Sequence, residues 1–205
     1  FILEKPGSYI YDDLNKFHLY CKKKKINLII NYQRNFSNLN LKIKKKIFHN
    51  KKSKTLKRID VTYNKGLFNS CSHYLNFLLN IIDDSHFYKI KINSRYKKTS
   101  IQDFFLDFSF NSKIFINFIY KKNQDEKIIF YFDDSYKIIY KTEKRIAYTL
   151  NKKKKENINS DIKFCQQNLL KQLDCNKIKQ EHFLKNSLLT LNLFKKIKDS
   201  LISLN

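Results

Sequence analysis

Asp133 and Asp134 follow Tyr131 and Phe132 between two apolar stretches. Carboxylates paired in this way can hold divalent metal ions for phosphoryl transfer, and Asp60 and Asp103 are candidates for a third. Asp-Asp-Ser also suits a turn between strands, and that plainer reading is adopted here. Cys71 and His73 lie near His86 in the sequence, a grouping that could ligate a metal; they are read instead as a small core thiol and ordinary polar positions. Cys21, Cys71, Cys165 and Cys175 form no Cys-x-x-Cys pair. Neither a zinc site nor a disulfide framework is therefore expected. Gly7 and Gly66 are the two glycines of the chain. A phosphate-cradling loop needs glycine for close backbone approach, so nucleotide-binding loops and the nucleophile elbow have no sequence support. No catalytic residue, no metal, no cofactor and no small-molecule substrate is assigned, and the chain is not expected to be an enzyme.

The basic residues carry more information. The net charge is +24, from 42 Lys plus Arg against 18 Asp plus Glu. No acidic residue occurs between Asp13 and Asp60, and 15 basic ones do. A segment of this kind repels itself unless a polyanion neutralises it, and each phosphate contact would release a counterion. The candidate RNA contacts are Lys22, Lys23, Lys24, Lys25, Arg34, Lys42, Lys44, Lys45, Lys46, Lys51, Lys52, Lys54, Lys57 and Arg58, with Arg95, Lys97 and Lys98 in a later loop. Phe17, Tyr20, Tyr32, Phe36 and Phe48 are interleaved with them and could stack on bases.

These side chains need elements to carry them. Residues 9–24 read as a helix with Ser8 as its cap, Asp12 and Asp13 in its first turn and lysines at its end. Alternation predicts strands over 25–33, 39–48 and 58–64. Leu67, Cys71, Tyr74, Leu75, Leu78 and Ile82 share one face of a helix over 66–82. Strands are expected at 87–93, 113–121, 127–132 and 136–140, the last three as an antiparallel meander. Residues 101–111 fit either a short helix or a strand. Residues 151–160 read as a charged linker. Beyond it, 161–173 and 177–201 are helical, with Leu184, Leu188, Leu191 and Phe194 on a stripe that must be covered. The fold class is α+β: an antiparallel or mixed sheet with packed helices (1–150), followed by a helical C-terminal extension (161–205).

No uncharged apolar run is long enough to cross a membrane. Phe, Tyr, Ile, Lys and Asn make up more than half of the chain, whereas Gly, Ala, Val and Pro are scarce. The first group is encoded by A and T, the second needs G or C, so this composition reports an AT-rich genome. A basic α+β chain with lysine loops and a helical extension resembles organellar ribosomal proteins as a class. Within it, Leu56-Lys-Arg-Ile-Asp-Val-Thr-Tyr, the helix over 67–82 and the strand and loop over 87–100 resemble the small-subunit ribosomal protein ten family in the order of their elements. The resemblance implies a structural role in an organellar ribosome, of the mitochondrial or another organelle matrix. Its partners would be ribosomal RNA and, through the C-terminal helices, neighbouring ribosomal proteins. Separately, the Tyr131–Asp134 run is similar to the Tyr-x-Asp-Asp hairpin of reverse transcriptases. This keeps a nucleic-acid-processing enzyme as the alternative, beside a basic subunit of another organellar complex.

Overall fold

The computed structural model describes residues 1–49, 56–81, 90–95, 105–110, 114–132, 136–152, 154–158, 169 and 180–202. It begins with a small βαβ unit. Strand β1 (Ile2–Glu4) leads into helix α1 (Tyr11–Lys23), which returns the chain to β2 (Ile29–Asn31), parallel to β1. The turn out of β1 contains a cis Lys5–Pro6 peptide and Gly7 at φ +81°. The amide of Gly7 closes this turn by donating to the Glu4 carbonyl at 2.8 Å. Asp12 and Asp13 in the first turn of α1 and Lys22 and Lys23 in its last complement the helix dipole. Ser8 accepts from the Ile10 amide at 3.0 Å, but the N-cap is Ile10 and carries no side-chain cap.

After a 3₁₀ turn (Gln33–Phe36) comes helix α2 (Asn38–His49), where alternation predicted a strand. Leu39, Leu41 and Ile43 satisfy a period of two, whereas Leu39, Ile43 and Ile47 satisfy a period of four. Packing selects the second set: those three are buried while Leu41 is 40% exposed. The lysines between them then point off the buried stripe.

The main sheet has eight strands: β3 (Arg58–Tyr63), β4 (Ile90–Arg95), β5 (Phe105–Phe110), β6 (Ile114–Tyr120), β7 (Lys127–Tyr131), β8 (Tyr136–Lys141), β9 (Ile146–Asn151) and β10 (Lys154–Ile158). Their order is β10-β9-β8-β7-β3-β6-β5-β4. The residues open between helix and strand thus resolve to β5 over 105–110. The expected meander is corrected at one place. β6 and β7 are not neighbours, because β3 inserts between them, parallel to β6 and antiparallel to β7. Lys154–Ile158, within the expected linker, form the edge strand and pair with β9. The sheet is therefore mixed and the fold is α+β.

One face of the sheet is apolar through strict alternation: Ile59, Val61 and Tyr63 of β3, Ile116 and Phe118 of β6, Ile128 and Phe130 of β7, and Ile138 and Tyr140 of β8 are all buried. Against it lie α2 and helix α3 (Ser72–Ile81), which follows a π-helical turn (Leu67–Cys71). The final helix, α4 (Gln180–Ile202), packs on α1, α3 and β2 of its own chain. Its Leu184 and Leu191 join Leu14, Cys21, Leu28, Ile30 and Tyr32, while Leu193 and Phe194 enter the main core. An amide chain locks this contact: Asn186 Nδ2 donates to Asn80 Oδ1 at 2.9 Å, Asn80 Nδ2 to the Asn76 carbonyl at 2.8 Å, and Asn76 Nδ2 to Thr190 Oγ1 at 3.3 Å. The expected docking of this helix on a neighbouring protein is thus corrected, because the chain's own body covers the stripe. Among the described residues no helix is long and apolar enough to cross a membrane.

Candidate active site

The described basic residues singled out from sequence are spread over several elements. Lys22, Lys23, Lys24 and Lys25 are exposed at the end of α1. Lys42 and Lys45 are exposed on α2, while Lys44 donates to the Asn80 carbonyl at 2.7 Å and Lys46 pairs with Glu156 at 3.4 Å. Lys57 is exposed next to β3; Arg58 pairs with Asp60 at 3.2 Å and lies over the Tyr131 ring at 4.1 Å. Arg95 ends β4. Lys51, Lys52, Lys54, Lys97 and Lys98 lie outside the described residues, as do Asp103, Asp133, Asp134 and His86. Of the interleaved aromatics, Tyr20 is exposed on α1, but two others are not available for stacking. Tyr32 and Phe36 are core residues at 1% exposure: Tyr32 packs with Leu14 and Cys21 of α1 and Leu184 and Leu191 of α4, and Phe36 with Ile29 and Leu169. Asp60 is engaged by Arg58 and by Asn117, whose Nδ2 donates to its Oδ1 at 2.8 Å. Among the described residues no group of three or more His, Cys, Asp or Glu could hold a metal ion.

Arg34 belongs elsewhere, to a polar cluster near the carboxyl ends of β1, β2 and β3, strands that lie in two different sheets. Lys5 stands in the turn after β1. Its Nζ donates to the carbonyl of Asn69 at 3.2 Å and to Asn69 Oδ1 at 3.3 Å. Asn69 is in the π-helical turn, and His73 lies one helical turn further, in the first turn of α3. The His73 imidazole meets the Tyr32 ring edge-on with centroids 5.8 Å apart. The Arg34 guanidinium stacks over the Tyr74 ring at 4.3 Å. The Tyr74 hydroxyl is bound to the buried Glu126 carboxylate and lies 2.8 Å from Thr142 Oγ1. Glu126 also accepts the Asn64 amide at 3.2 Å, so the start of α3 is tied to the ends of β3, β7 and β8.

Electrostatics follow from this crowding. Burial, with the positive charges of Arg34 and Lys5 beside it, pushes the His73 imidazole down to about 3 from 6.5. The ring is therefore neutral at physiological pH. Burial and Arg34 also hold the Lys5 ammonium below its ordinary value, against a smaller opposing effect of Glu4. Burial pushes up the Tyr32 and Tyr74 phenols and the Cys71 thiol. Three buried polar atoms of the cluster have no hydrogen-bond partner among the described residues: His73 Nδ1, the Tyr32 hydroxyl and Arg34 Nη1. Buried polar atoms of this kind ordinarily meet a water, an ion or a ligand.

Sequence reasoning named Arg34 for phosphate and passed over Lys5, Asn69 and His73 as a set. One signal could have found them. Against a composition that suppresses G and C, the chain's one proline and one of its two glycines follow Lys5 as Pro6 and Gly7, between a strand and a helix.

No protein-family model matches the sequence, and no curated protein matches it. The fold, however, is shared with solved structures. An aldose–aldose oxidoreductase from Caulobacter crescentus, complexed with glycerol, superposes with a TM-score of 0.78 at 12% identity, covering 100% of this chain and 70% of that one. A UDP-N-acetylglucosamine 3-dehydrogenase from Acidithiobacillus ferrooxidans gives 0.73 at 8% identity, covering 96% and 68%. The super-repressor mutant of Gal80p from Saccharomyces cerevisiae gives 0.75 at 11%, covering 98% and 70%. These matches overturn the ribosomal resemblance, which rested on a strand–helix–strand order common to many folds. With it fall the structural role in translation, ribosomal RNA and ribosomal proteins as partners, and the expectation that the chain is not an enzyme.

Proposed function

We propose that the chain is the substrate-handling part of an NAD(P)-dependent oxidoreductase acting on an alcohol or its carbonyl counterpart, with Lys5 as the proton-transfer residue and His73 as its neutral companion. The observation that carries this reading is the Lys5–Asn69–His73–Tyr32–Arg34 cluster at the strand ends. The oxidoreductase and dehydrogenase titles among the fold neighbours support it.

The residues present fit the reacting end of such a site. Orphaned donors and acceptors beside Lys5 suit an oxygen-rich substrate. They do not fit the phosphates of a dinucleotide. A Cβ on Gly7 would meet Ile30 Cδ1 at 2.7 Å, so its bare face is already filled by protein, and no glycine-rich loop occurs in the 205 residues. When bound, a nicotinamide would supply the hydride chemistry at the substrate carbon. The chain's own residues manage the oxygen. In reduction the Lys5 ammonium gives its proton to the carbonyl oxygen, and in oxidation the amine takes the hydroxyl proton back. The lowered affinity of Lys5 for its proton brings it nearer to neutrality, where a general acid–base works best. A His73 held near 3 is a poor proton store but a competent hydrogen-bonding partner for the same oxygen. Asn69 fixes the ammonium, and the Tyr74–Glu126–Thr142 network fixes the helix that carries His73.

Steady-state turnover of NADH or NADPH by the full-length protein against a panel of aldoses, ketoses and keto acids tests the reading. Lys5→Met is expected to lower kcat by roughly 10²–10⁴. His73→Gln is expected to lower it less. Turnover indifferent to Lys5→Met would refute the assignment.

A further inference from the structure

We propose that the substrate of this site carries an oxyanion group, a carboxylate or a phosphate, which the Arg34 guanidinium grips while Lys5 handles the reacting oxygen. The inference deepens the oxidoreductase reading and rests on it for the role of Lys5.

Arg34 is placed by its backbone. Its carbonyl accepts from the Asn40 side-chain amide and from the Ser37 amide at 3.2 Å, which fixes the 3₁₀ turn between β2 and α2. The guanidinium then lies on the Tyr74 ring at 4.3 Å, and that ring is itself pinned through its hydroxyl. Stacking occupies a face of the guanidinium and leaves its in-plane N–H groups for hydrogen bonds. Nη1 is buried and has no partner among the described residues. A half-buried guanidinium left in this way is costly unless something pairs with it.

No carboxylate of the described residues pairs directly with either cation, although Glu4 acts on Lys5 from nearby. Neither Arg34 nor Lys5 makes a salt bridge among the described residues. The partner of Lys5 is the neutral Asn69 amide, and the nearby Glu4 carboxylate is bound by Asn31 Nδ2 at 2.8 Å. Glu126 is taken up by the Tyr74 hydroxyl and the Asn64 amide. Two cations thus share one polar cluster around a neutral imidazole. An oxyanion would meet Arg34 through the planar fork that carboxylates and phosphates accept bidentately. A neutral polyol could accept a hydrogen bond from the guanidinium but would bring no counter-charge.

The test is a binding measurement that needs no hydride transfer. D-glucuronate, glucose 6-phosphate and D-glucose are titrated into the histidine-labelled protein at fixed ionic strength, and the His73 ring resonance is followed by NMR. At least one of the two charged sugars is expected to move that resonance and to bind roughly tenfold or more tightly than glucose. A response to glucuronate alone assigns a carboxylate, and one to glucose 6-phosphate alone a phosphate. Arg34→Gln is expected to remove the preference. Arg34→Lys, which keeps the charge and loses the fork, is expected to weaken it, and serves if the first variant does not fold. Glucose binding as tightly as both charged sugars, or an anion preference that survives both substitutions, would overturn the proposal. Failure here alongside Lys5-dependent turnover of neutral sugars would leave the oxidoreductase reading standing. Anion-selective binding without any turnover would do the reverse.

Discussion

His73 makes the folding stability of this chain depend on pH in a window that can be calculated. Its imidazole is held at about 3 in the folded protein against 6.5 when unfolded. Above 6.5 neither state carries the proton and the group contributes nothing. Between 6.5 and 3 the unfolded chain binds a proton that the folded chain does not, so stability falls as the pH falls. Each pH unit in that window is worth about 1.4 kcal/mol, so lowering the pH from 8 to 5 costs about 2 kcal/mol through this one residue. His73→Gln keeps a polar side chain and cannot titrate. Urea melts of both proteins at pH 8 and pH 5 give four free energies, and the difference of differences isolates His73 from His18 and the other histidines. Piperazine buffers suit the acid arm, because acetate and citrate are themselves oxyanions that could pair with Arg34. The expected result is that the wild type loses about 2 kcal/mol more than the variant. Equal losses in the two proteins would show that the ring is not held neutral by burial and the neighbouring cations.

Other consequences can be tested alongside it. Gly7→Ala places a Cβ 2.7 Å from Ile30 Cδ1 at a φ of +81°, and should cost about 2 kcal/mol in the same melts, a value near zero being evidence against the packed turn. Glu126→Ala strands the Tyr74 hydroxyl and the Asn64 amide and should cost about 1–3 kcal/mol, whereas Glu126→Gln should cost clearly less; the reverse order would deny the network its positioning role. Asn76→Ala cuts the amide chain between α3 and α4 and should speed hydrogen exchange across 184–194 before it affects β7 and β8. Unchanged exchange in α4 would show that its apolar contacts suffice.

The fold class could be read from the sequence because its signals are local. Lys127–Tyr131 and Tyr136–Lys141 alternate cleanly, and α3 is apolar on the face that meets the sheet. The place of β3 between β6 and β7 could not be read, since strand order is set by long-range packing that periodicity does not encode. At α2 two periods fit overlapping sets of apolar residues, so alternation alone points to a strand where packing forms a helix. The Lys5–Arg34–His73 cluster was hidden for a different reason. Lys5, Arg34 and His73 come from three separate stretches, each polar position unremarkable on its own, and only the convergence of β1, β2 and β3 makes them neighbours. The abundance of lysine, much of it a product of composition, drew attention toward exposed charge and away from the half-buried cations.

Isotope transfer tests the central claim most directly. The full-length protein is mixed with NAD⁺ or NADP⁺ and with sugars and hydroxy acids deuterated at their carbinol carbons, and the reduced cofactor is examined by mass spectrometry. The account predicts that the deuteron appears on the nicotinamide and that Lys5→Met slows its arrival by roughly 10²–10⁴. A protein that is folded and binds the cofactor, yet passes no deuteron from any substrate or passes it equally fast without Lys5, would contradict the account.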